Sequence, residues 1–178
     1  MEYFDVLNEN GEFTGKVETR EKCHELGLWH RAVYGFLFNK NGDVLLQKRS
    51  ANKKMWPNLW DVTAGGHVLA GEFGFQAVIR EIKEELNVNI NENDIKYLVG
   101  STSINEKGNI INKHFNEAYL ITKDIDVSQI ELQKEEVSDI RWFTKKEILD
   151  RINNNFEGLT EKTGPWNFLK KYYEMLEK

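Results

Sequence analysis

The sequence predicts one α/β domain, of the α+β kind, with a mixed sheet, and two observations carry that prediction. The chain has 178 residues, a length that fits one domain burying roughly 70% of its unfolded surface. Its predicted strands outnumber its predicted helices and alternate with them irregularly, a pattern typical of a sheet with both parallel and antiparallel pairs. We therefore expect a single domain over residues 1–178.

The N-terminal part of the chain predicts a hairpin followed by a short helix. Apolar strands are expected at residues 3–7 and 13–17, because an Asn- and Gly-containing turn separates them. Thr19 is a good N-cap for a helix that Gly27 would end. Residues 1–29 therefore form the first predicted unit.

The rest of the chain predicts a core over residues 30–158 and a C-terminal helix over residues 159–178 that docks onto it. The predicted strands of the core are 32–38, 44–48, 95–104, 110–121 and 140–143. Its helices are predicted at 73–86 and, behind the cap Thr144, up to Asn153. Pro165 is expected at the first position of the last helix.

Composition excludes several classes of protein. The net charge of −5 argues against binding to a nucleic-acid polymer, which needs a basic surface. No uninterrupted apolar stretch approaches 18 residues, so no membrane span is expected. One cysteine, Cys23, and an acidic N-terminus without a signal sequence favour a cytoplasmic location. The sequence leaves the choice between a monomer and a homodimer open.

Three carboxylates crowd one side of the helix predicted at 73–86. Glu81, Glu84 and Glu85 have spacings that bring their side chains together, and each like-charge pair costs a few tenths of a kcal/mol. Crowded carboxylate oxygens suit a hard divalent cation, Mg²⁺ or Mn²⁺. Arg80 lies four residues before Glu84 and can orient it. The alternative for an isolated pair of this kind is a solvated acidic face.

The spacing of residues around these carboxylates favours the cation site. Gly66 is followed after five residues by Glu72 and then, after seven more, by Arg80-Glu81-Ile82-Lys83-Glu84-Glu85-Leu86-Asn87-Val88. This segment resembles the Nudix box, with Asn87 standing where the family has glycine. Asn is the next-best residue for a left-handed C-cap, so the departure is mild. The chain thus resembles the Nudix superfamily.

The resemblance implies a fold, a reaction and a set of site residues. The fold is an α-β-α sandwich in which the box forms a loop, a helix and a loop. The reaction is metal-dependent hydrolysis of the diphosphate in a nucleoside diphosphate linked to another moiety. Glu81, Glu84 and Glu85 match the metal ligands, with Glu81 also a candidate base, and a further catalytic glutamate would be Glu135 or Glu136.

Segments outside the box resemble isopentenyl-diphosphate isomerases and related hydrolases. They are residues 5–11, residues 28–32 and the loop with Trp56-Pro57 and Trp60. By this resemblance Arg49 and Lys53 contact the diphosphate. His30 and His67 match two ligands of a histidine-rich metal site, whereas the spacing of His24 is one residue too short for a third.

Two departures argue against isomerase chemistry. Gly65 occupies the position of the isomerases' catalytic cysteine, and glycine cannot transfer a proton. Glu81 stands where the isomerases carry a basic residue. The leading hypothesis is therefore a Mg²⁺-dependent hydrolase of a small diphosphate substrate, of nucleoside-diphosphate type. The alternatives are isopentenyl-diphosphate isomerase and a catalytically silent, nucleotide-sensing module.

Overall fold

The computed structural model describes residues 1–160 and 163–176, in which nine strands form one mixed sheet flanked by four helices. The strands are β1 (Tyr3–Leu7), β2 (Phe13–Thr19), β3 (Trp29–Phe38), β4 (Val44–Arg49), β5 (Trp60–Asp61), β6 (Ala64–His67), β7 (Ile95–Lys107), β8 (Ile110–Thr122) and β9 (Val137–Phe143). The helices are α1 (Arg20–Leu26), α2 (Gly74–Leu86), α3 (Lys145–Asn153) and α4 (Thr163–Met175).

Strand β3 is the centre of the sheet. It pairs antiparallel with β1, β4 and β6, and in parallel with β8 over its whole length. Strand β8 also pairs with the preceding strand, β7, in a long hairpin, and β4 also pairs with β5 and β9. The predicted mixed sheet is confirmed, and the parallel β3–β8 pair joins segments far apart in sequence.

Two apolar cores lie on opposite faces of the sheet, because side chains alternate along β3. Phe36 and Phe38 contribute to the core covered by α3 and α4, whereas Val33 and Leu37 contribute to the core covered by α2. The protein is therefore the predicted α-β-α sandwich.

The N-terminal hairpin and α1 follow the predicted local signals. Thr19 accepts a hydrogen bond from the Lys22 amide, and Gly27 ends α1 at a left-handed φ of 60°. Phe4, Val6 and Cys23 are buried in a small separate core beneath this unit.

Helix α2 buries an apolar stripe that includes Val78, Ile82 and Leu86. It ends at Asn87, which adopts the expected left-handed conformation with φ 52° and ψ 27°. The Asn87 amide donates to the Lys83 carbonyl, as a C-cap requires. The loop before the helix and the helix itself form the loop-helix-loop expected from the sequence.

The C-terminal helix packs against the core through Trp166, Leu169 and Tyr173, all buried. It begins at Thr163, two residues before the start that Pro165 predicts, which remains compatible with proline because the first helical turn lacks amide partners. Residues 161–162 and 177–178 of the predicted docking segment lie outside the described residues. No helix among the described residues is long and apolar enough to cross a membrane.

Candidate active site

A cavity of about 340 Å³ opens between α2, β6 and the loop that follows β4. Its lining contains both acidic and basic side chains, which face each other across a small volume. The acidic residues are Glu2, Glu81, Glu84, Glu85 and Glu136, and the basic residues are Arg20, Arg49 and Lys53. A cavity with converging charged groups of both signs is suited to a ligand that is an anion bound with a cation.

Glu81 lies against the backbone of Gly66, so closely that a Cβ atom at position 66 would overlap its carboxylate. The same carboxylate accepts a hydrogen bond of 2.7 Å from Arg80. Burial raises the pKa of Glu81, the charge and hydrogen bond of Arg80 lower it, and the charge of Glu84 raises it. The glycine therefore leaves the space in which this carboxylate lies.

Glu84 and Glu85 differ in their surroundings. The Glu84 side chain is 54% exposed at the cavity rim, whereas Glu85 is only 8% exposed. Glu85 is buried because the helix packs against the sheet, where Gln47 of β4 donates to the Glu85 carboxylate. Burial and the charge of Glu81 raise the pKa of Glu85 well above its ordinary value.

Arg80 connects the carboxylates of α2 with the preceding loop. It donates to Glu72, to Glu84 at 3.3 Å and to the carbonyl oxygen of His67 at 2.9 Å. Glu72 lies outside the cavity lining and accepts from the Leu69 amide at 2.9 Å. Arg80 thus links Glu72 and the loop before α2 to Glu81 and Glu84.

The basic side of the cavity comes from the loop after β4. Arg49 pairs with Asp61 at 3.1 Å and also donates to the Met55 carbonyl oxygen. Lys53 forms an ion pair with Glu136, so two predicted site residues contact each other. Glu135 is exposed and lies outside the cavity lining, so of the two candidate glutamates only Glu136 lines it.

All four histidines of the chain converge in one cluster beside the carboxylates. His24 comes from α1, His30 from β3, His67 from β6 and His114 from β8, and one ring nitrogen of each lies within 4.8 Å of the others. The Nε2 atoms of His24, His30 and His67 are buried and have no hydrogen-bond partner among the described residues. The His30 Nδ1 lies 2.8 Å from the Leu28 carbonyl oxygen, so Nδ1 carries the proton and Nε2 a free lone pair.

Burial favours the neutral forms of three members of the cluster, His24, His30 and His67. Burial lowers the pKa of His30 to about 4. Burial also lowers the pKa of His67 well below its ordinary value, and the charges of His114 and His30 lower it further. The pKa of His24 is lowered by burial first and then by the charge of Arg20. Neutral imidazoles with unshared lone pairs are suitable ligands for a transition-metal ion.

Several residues of the carboxylate site and of the histidine cluster are not predicted from the sequence. His24 was discounted because of its spacing, and His114, Gln47 and Asp61 were not considered. His30 and His114 are register partners in the parallel β3–β8 pair, and this pairing brings together residues 84 positions apart. The sequence indicates the histidine cluster only weakly: the chain has four histidines, and all of them belong to it.

Comparison with known proteins identifies the family. Residues 28–162 match the NUDIX domain. An uncharacterized Nudix hydrolase of Listeria monocytogenes is 38% identical over 176 residues, which are 98% of this chain and 95% of that protein. An isopentenyl-diphosphate Δ-isomerase of Escherichia coli is 29% identical over 152 residues, which are 85% of this chain and 82% of that protein.

A solved structure shows the same fold. DR0079 from Deinococcus radiodurans superimposes with a TM-score of 0.72 at 26% sequence identity, covering 96% of this chain and 98% of that one. Nudix hydrolases cleave pyrophosphate linkages in small molecules and generally use divalent cations. The chain belongs to the Nudix family and is a Nudix hydrolase with an isopentenyl-diphosphate-isomerase-like frame.

Proposed function

We propose that this protein is a Mg²⁺-dependent hydrolase of the diphosphate linkage in a small substrate of nucleoside-diphosphate type. The observation that carries the proposal is one cavity in which Glu81, Glu84 and Glu85 face Arg49 and Lys53. Carboxylates that hold a cation and side-chain cations that hold phosphate oxygens are the two parts that such a reaction needs.

The carboxylates fit Mg²⁺ or Mn²⁺ in chemistry and in charge. All offer oxygen ligands, which hard divalent cations prefer. Burial and the charge of Glu81 disfavour the ionised form of Glu85, and a bound cation would favour it. When bound, the ion neutralises charge on the diphosphate and lowers the pKa of a coordinated water.

The side chains of the protein then have separate tasks. Arg49 and Lys53 hold phosphate oxygens and orient the phosphorus toward the attacking water. Glu81 or Glu136 accepts the proton of that water as the P–O bond to the leaving phosphate breaks. Arg80, through its contacts with Glu81 and Glu84, keeps the carboxylates in place.

The Lys53–Glu136 ion pair links the two halves of the cavity before substrate binds. A bound diphosphate gives Lys53 another anionic partner, and a bound cation gives Glu136 another partner of opposite charge. The exchange costs little, because both side chains are partly exposed and exposed ion pairs contribute at most about 1 kcal/mol.

We further propose that His24, His30, His67 and His114 hold a second cation, a transition-metal ion. The Nε2 atoms of His24, His30 and His67, buried without a hydrogen-bond partner among the described residues, support the assignment, since such atoms are rare in folded proteins. By the resemblance in sequence, two members of this cluster, His30 and His67, match ligands of the histidine-rich site of the isomerases. Its donors are neutral nitrogen atoms, in contrast to the carboxylates of the hydrolytic site.

Isomerase activity is disfavoured by Gly65, where a side chain would also be crowded. A Cβ atom there would lie 3.2 Å from the Val33 carbonyl oxygen and 3.3 Å from Val62 Cγ2. We expect no interconversion of isopentenyl and dimethylallyl diphosphates, and Gly65→Cys should not create it. Formation of either isomer above a blank with metal alone would contradict this expectation.

The proposed hydrolysis is tested with a panel of nucleoside diphosphates, nucleoside triphosphates and diphosphate conjugates, with millimolar Mg²⁺ or with chelator. Release of phosphate from at least one substrate, dependent on Mg²⁺, is the expected result. Binding of nucleotides without turnover of any of them would favour the sensing module instead.

A further inference from the structure

Two buried polar side chains lie directly opposite each other on neighbouring strands beneath the cavity. Gln47 on β4 and Asp61 on β5 are register partners, 3% and 2% exposed. Neither lines the cavity, yet each contacts a residue that does. Burying a polar group costs free energy unless the group forms hydrogen bonds. The hydrogen-bond partners of Gln47 and Asp61 therefore indicate what these two side chains do.

Gln47 contacts the side of the cavity that carries the carboxylates. Its Nε2 donates to Glu85 Oε2 at 3.0 Å, and its Oε1 is buried without a partner among the described residues. One hydrogen bond fixes the carboxylate plane and leaves the other Glu85 oxygen available for a cation. A neutral amide does this without cancelling the negative charge, whereas lysine or arginine at this position would compete with the cation.

Asp61 contacts the basic side of the cavity, which carries Arg49 and Lys53. It accepts from the Arg49 guanidinium at 3.1 Å through Oδ2. Its other oxygen accepts from the Val62 amide at 3.0 Å and from the Thr160 hydroxyl at 3.3 Å. With its carboxylate fixed on both sides, Asp61 sets the direction in which Arg49 presents its remaining N–H groups.

We infer that Gln47 and Asp61 are positioning residues with divided tasks, an inference that rests on the proposed function. Gln47 orients the metal ligand Glu85, and Asp61 orients the phosphate-binding Arg49. Their pairing across β4 and β5 places both supports on one rigid element. Precise placement of ligands by a supporting hydrogen bond commonly changes metal affinity or activity 10- to 100-fold.

The divided tasks predict opposite effects of two substitutions on two binding measurements. For each variant, Mg²⁺ is titrated alone and its binding is followed by the melting temperature. Methylenediphosphonate, a diphosphate that cannot be hydrolysed, is then titrated with Mg²⁺ at saturation. Gln47→Leu should weaken Mg²⁺ binding about tenfold and leave methylenediphosphonate binding unchanged. Asp61→Asn should weaken methylenediphosphonate binding about tenfold and leave Mg²⁺ binding unchanged.

Asn116→Ala is the matched control, because Asn116 is 3% exposed and donates to Ser103 at 3.0 Å, away from this cavity. It should leave both affinities at the parent values. Melting curves in chelator show that each variant folds, and Asp61→Ser replaces Asp61→Asn if the latter does not. Equal losses of both affinities in both variants, or no loss in either, would overturn the inference.

The two measurements also separate this inference from the proposed function. They record binding, so they do not require that the right substrate has been found. If the parent protein binds neither Mg²⁺ nor methylenediphosphonate, the proposed function fails. If the parent binds both and the variants show no division of effects, the inference fails while the proposed function stands.

Discussion

The carboxylate site and the histidine cluster are neighbours at one short strand and line the same cavity, yet they offer different donor atoms. In β6, Gly66 lies against the Glu81 carboxylate, and the next residue, His67, belongs to the histidine cluster. The first site gathers carboxylates, whereas the second gathers ring nitrogen atoms, and His24, His67 and His114 line the same cavity as the carboxylates. The donor atoms, more than the proximity of the two sites, determine which cation each can hold.

The loss of Gly66 should have the largest effect on the carboxylate site. Gly66→Ala places a methyl group in the space of the Glu81 carboxylate, which must move. We expect hydrolysis to fall about 10²-fold, the usual scale for displacing one group that stabilises a transition state. Gly164→Ala is the control, since nothing lies within 4 Å of a Cβ at that position. An active Gly66→Ala enzyme would show that Glu81 is not needed where the structure places it.

The loss of His114 should affect only the histidine cluster. Four-ligand zinc sites bind with about 10–16 kcal/mol, so one imidazole contributes about 3 kcal/mol, or about 10²-fold in affinity. His114→Ala should therefore weaken Zn²⁺ binding by about that factor and abolish the visible absorption of bound Co²⁺. Mg²⁺ binding should be unchanged. Lys113→Ala, one residue earlier on β8, should retain both signals.

Intact Co²⁺ absorption in His114→Ala would show that the cluster does not act as one site. A loss of Mg²⁺ binding in the same variant would show that the two sites are not separate. Either result would contradict the assignment of a hard cation, Mg²⁺, to the carboxylates and of a transition-metal ion to the histidines.

The smallest expected effect concerns the end of the helix that carries the carboxylates. Asn87 has a positive φ, which a β-branched residue adopts only with strain. Asn87→Val should lower the free energy of unfolding by about 1 kcal/mol relative to Asn87→Gly. Both variants lose the side-chain contacts with Lys83 and Glu131, so their difference isolates the backbone strain. Equal denaturation midpoints for the two variants would contradict this assignment.

Local signals predicted most elements of the fold, because caps and turns depend on adjacent residues. Thr19, Gly27 and Asn87 end or begin helices where the sequence indicated. The box likewise predicted that Glu81, Glu84 and Glu85 belong together, and they line one cavity.

The sequence could not reveal features that depend on strand pairing. His114 reaches the histidine cluster because β8 pairs in parallel with β3, a contact across 84 residues. The spacing of the carboxylates placed Glu85 beside Glu81 and Glu84, but only the position of β4 shows that Gln47 contacts it. The roles of Gln47 and Asp61 follow from the same packing and have no local signal.

The central claim is that the acidic residues of α2 bind the cation used in hydrolysis, and Glu85→Gln tests it most directly. Without metal the variant should be as stable as the parent or slightly more stable, because a carboxylate whose ionisation is disfavoured by burial and by the charge of Glu81 is replaced by a neutral amide. With millimolar Mg²⁺ the parent should gain stability by mass action while the variant gains less.

The measurement is a set of melting curves for the parent, Glu85→Gln and the control Glu92→Gln, an exposed acid outside the cavity. Each protein is measured with chelator and with Mg²⁺, beside a phosphate-release assay. We predict that Glu85→Gln loses most of the Mg²⁺-dependent shift and that its hydrolysis falls by orders of magnitude, whereas the control retains both. A Glu85→Gln protein with the parent's shift and rate would contradict the claim.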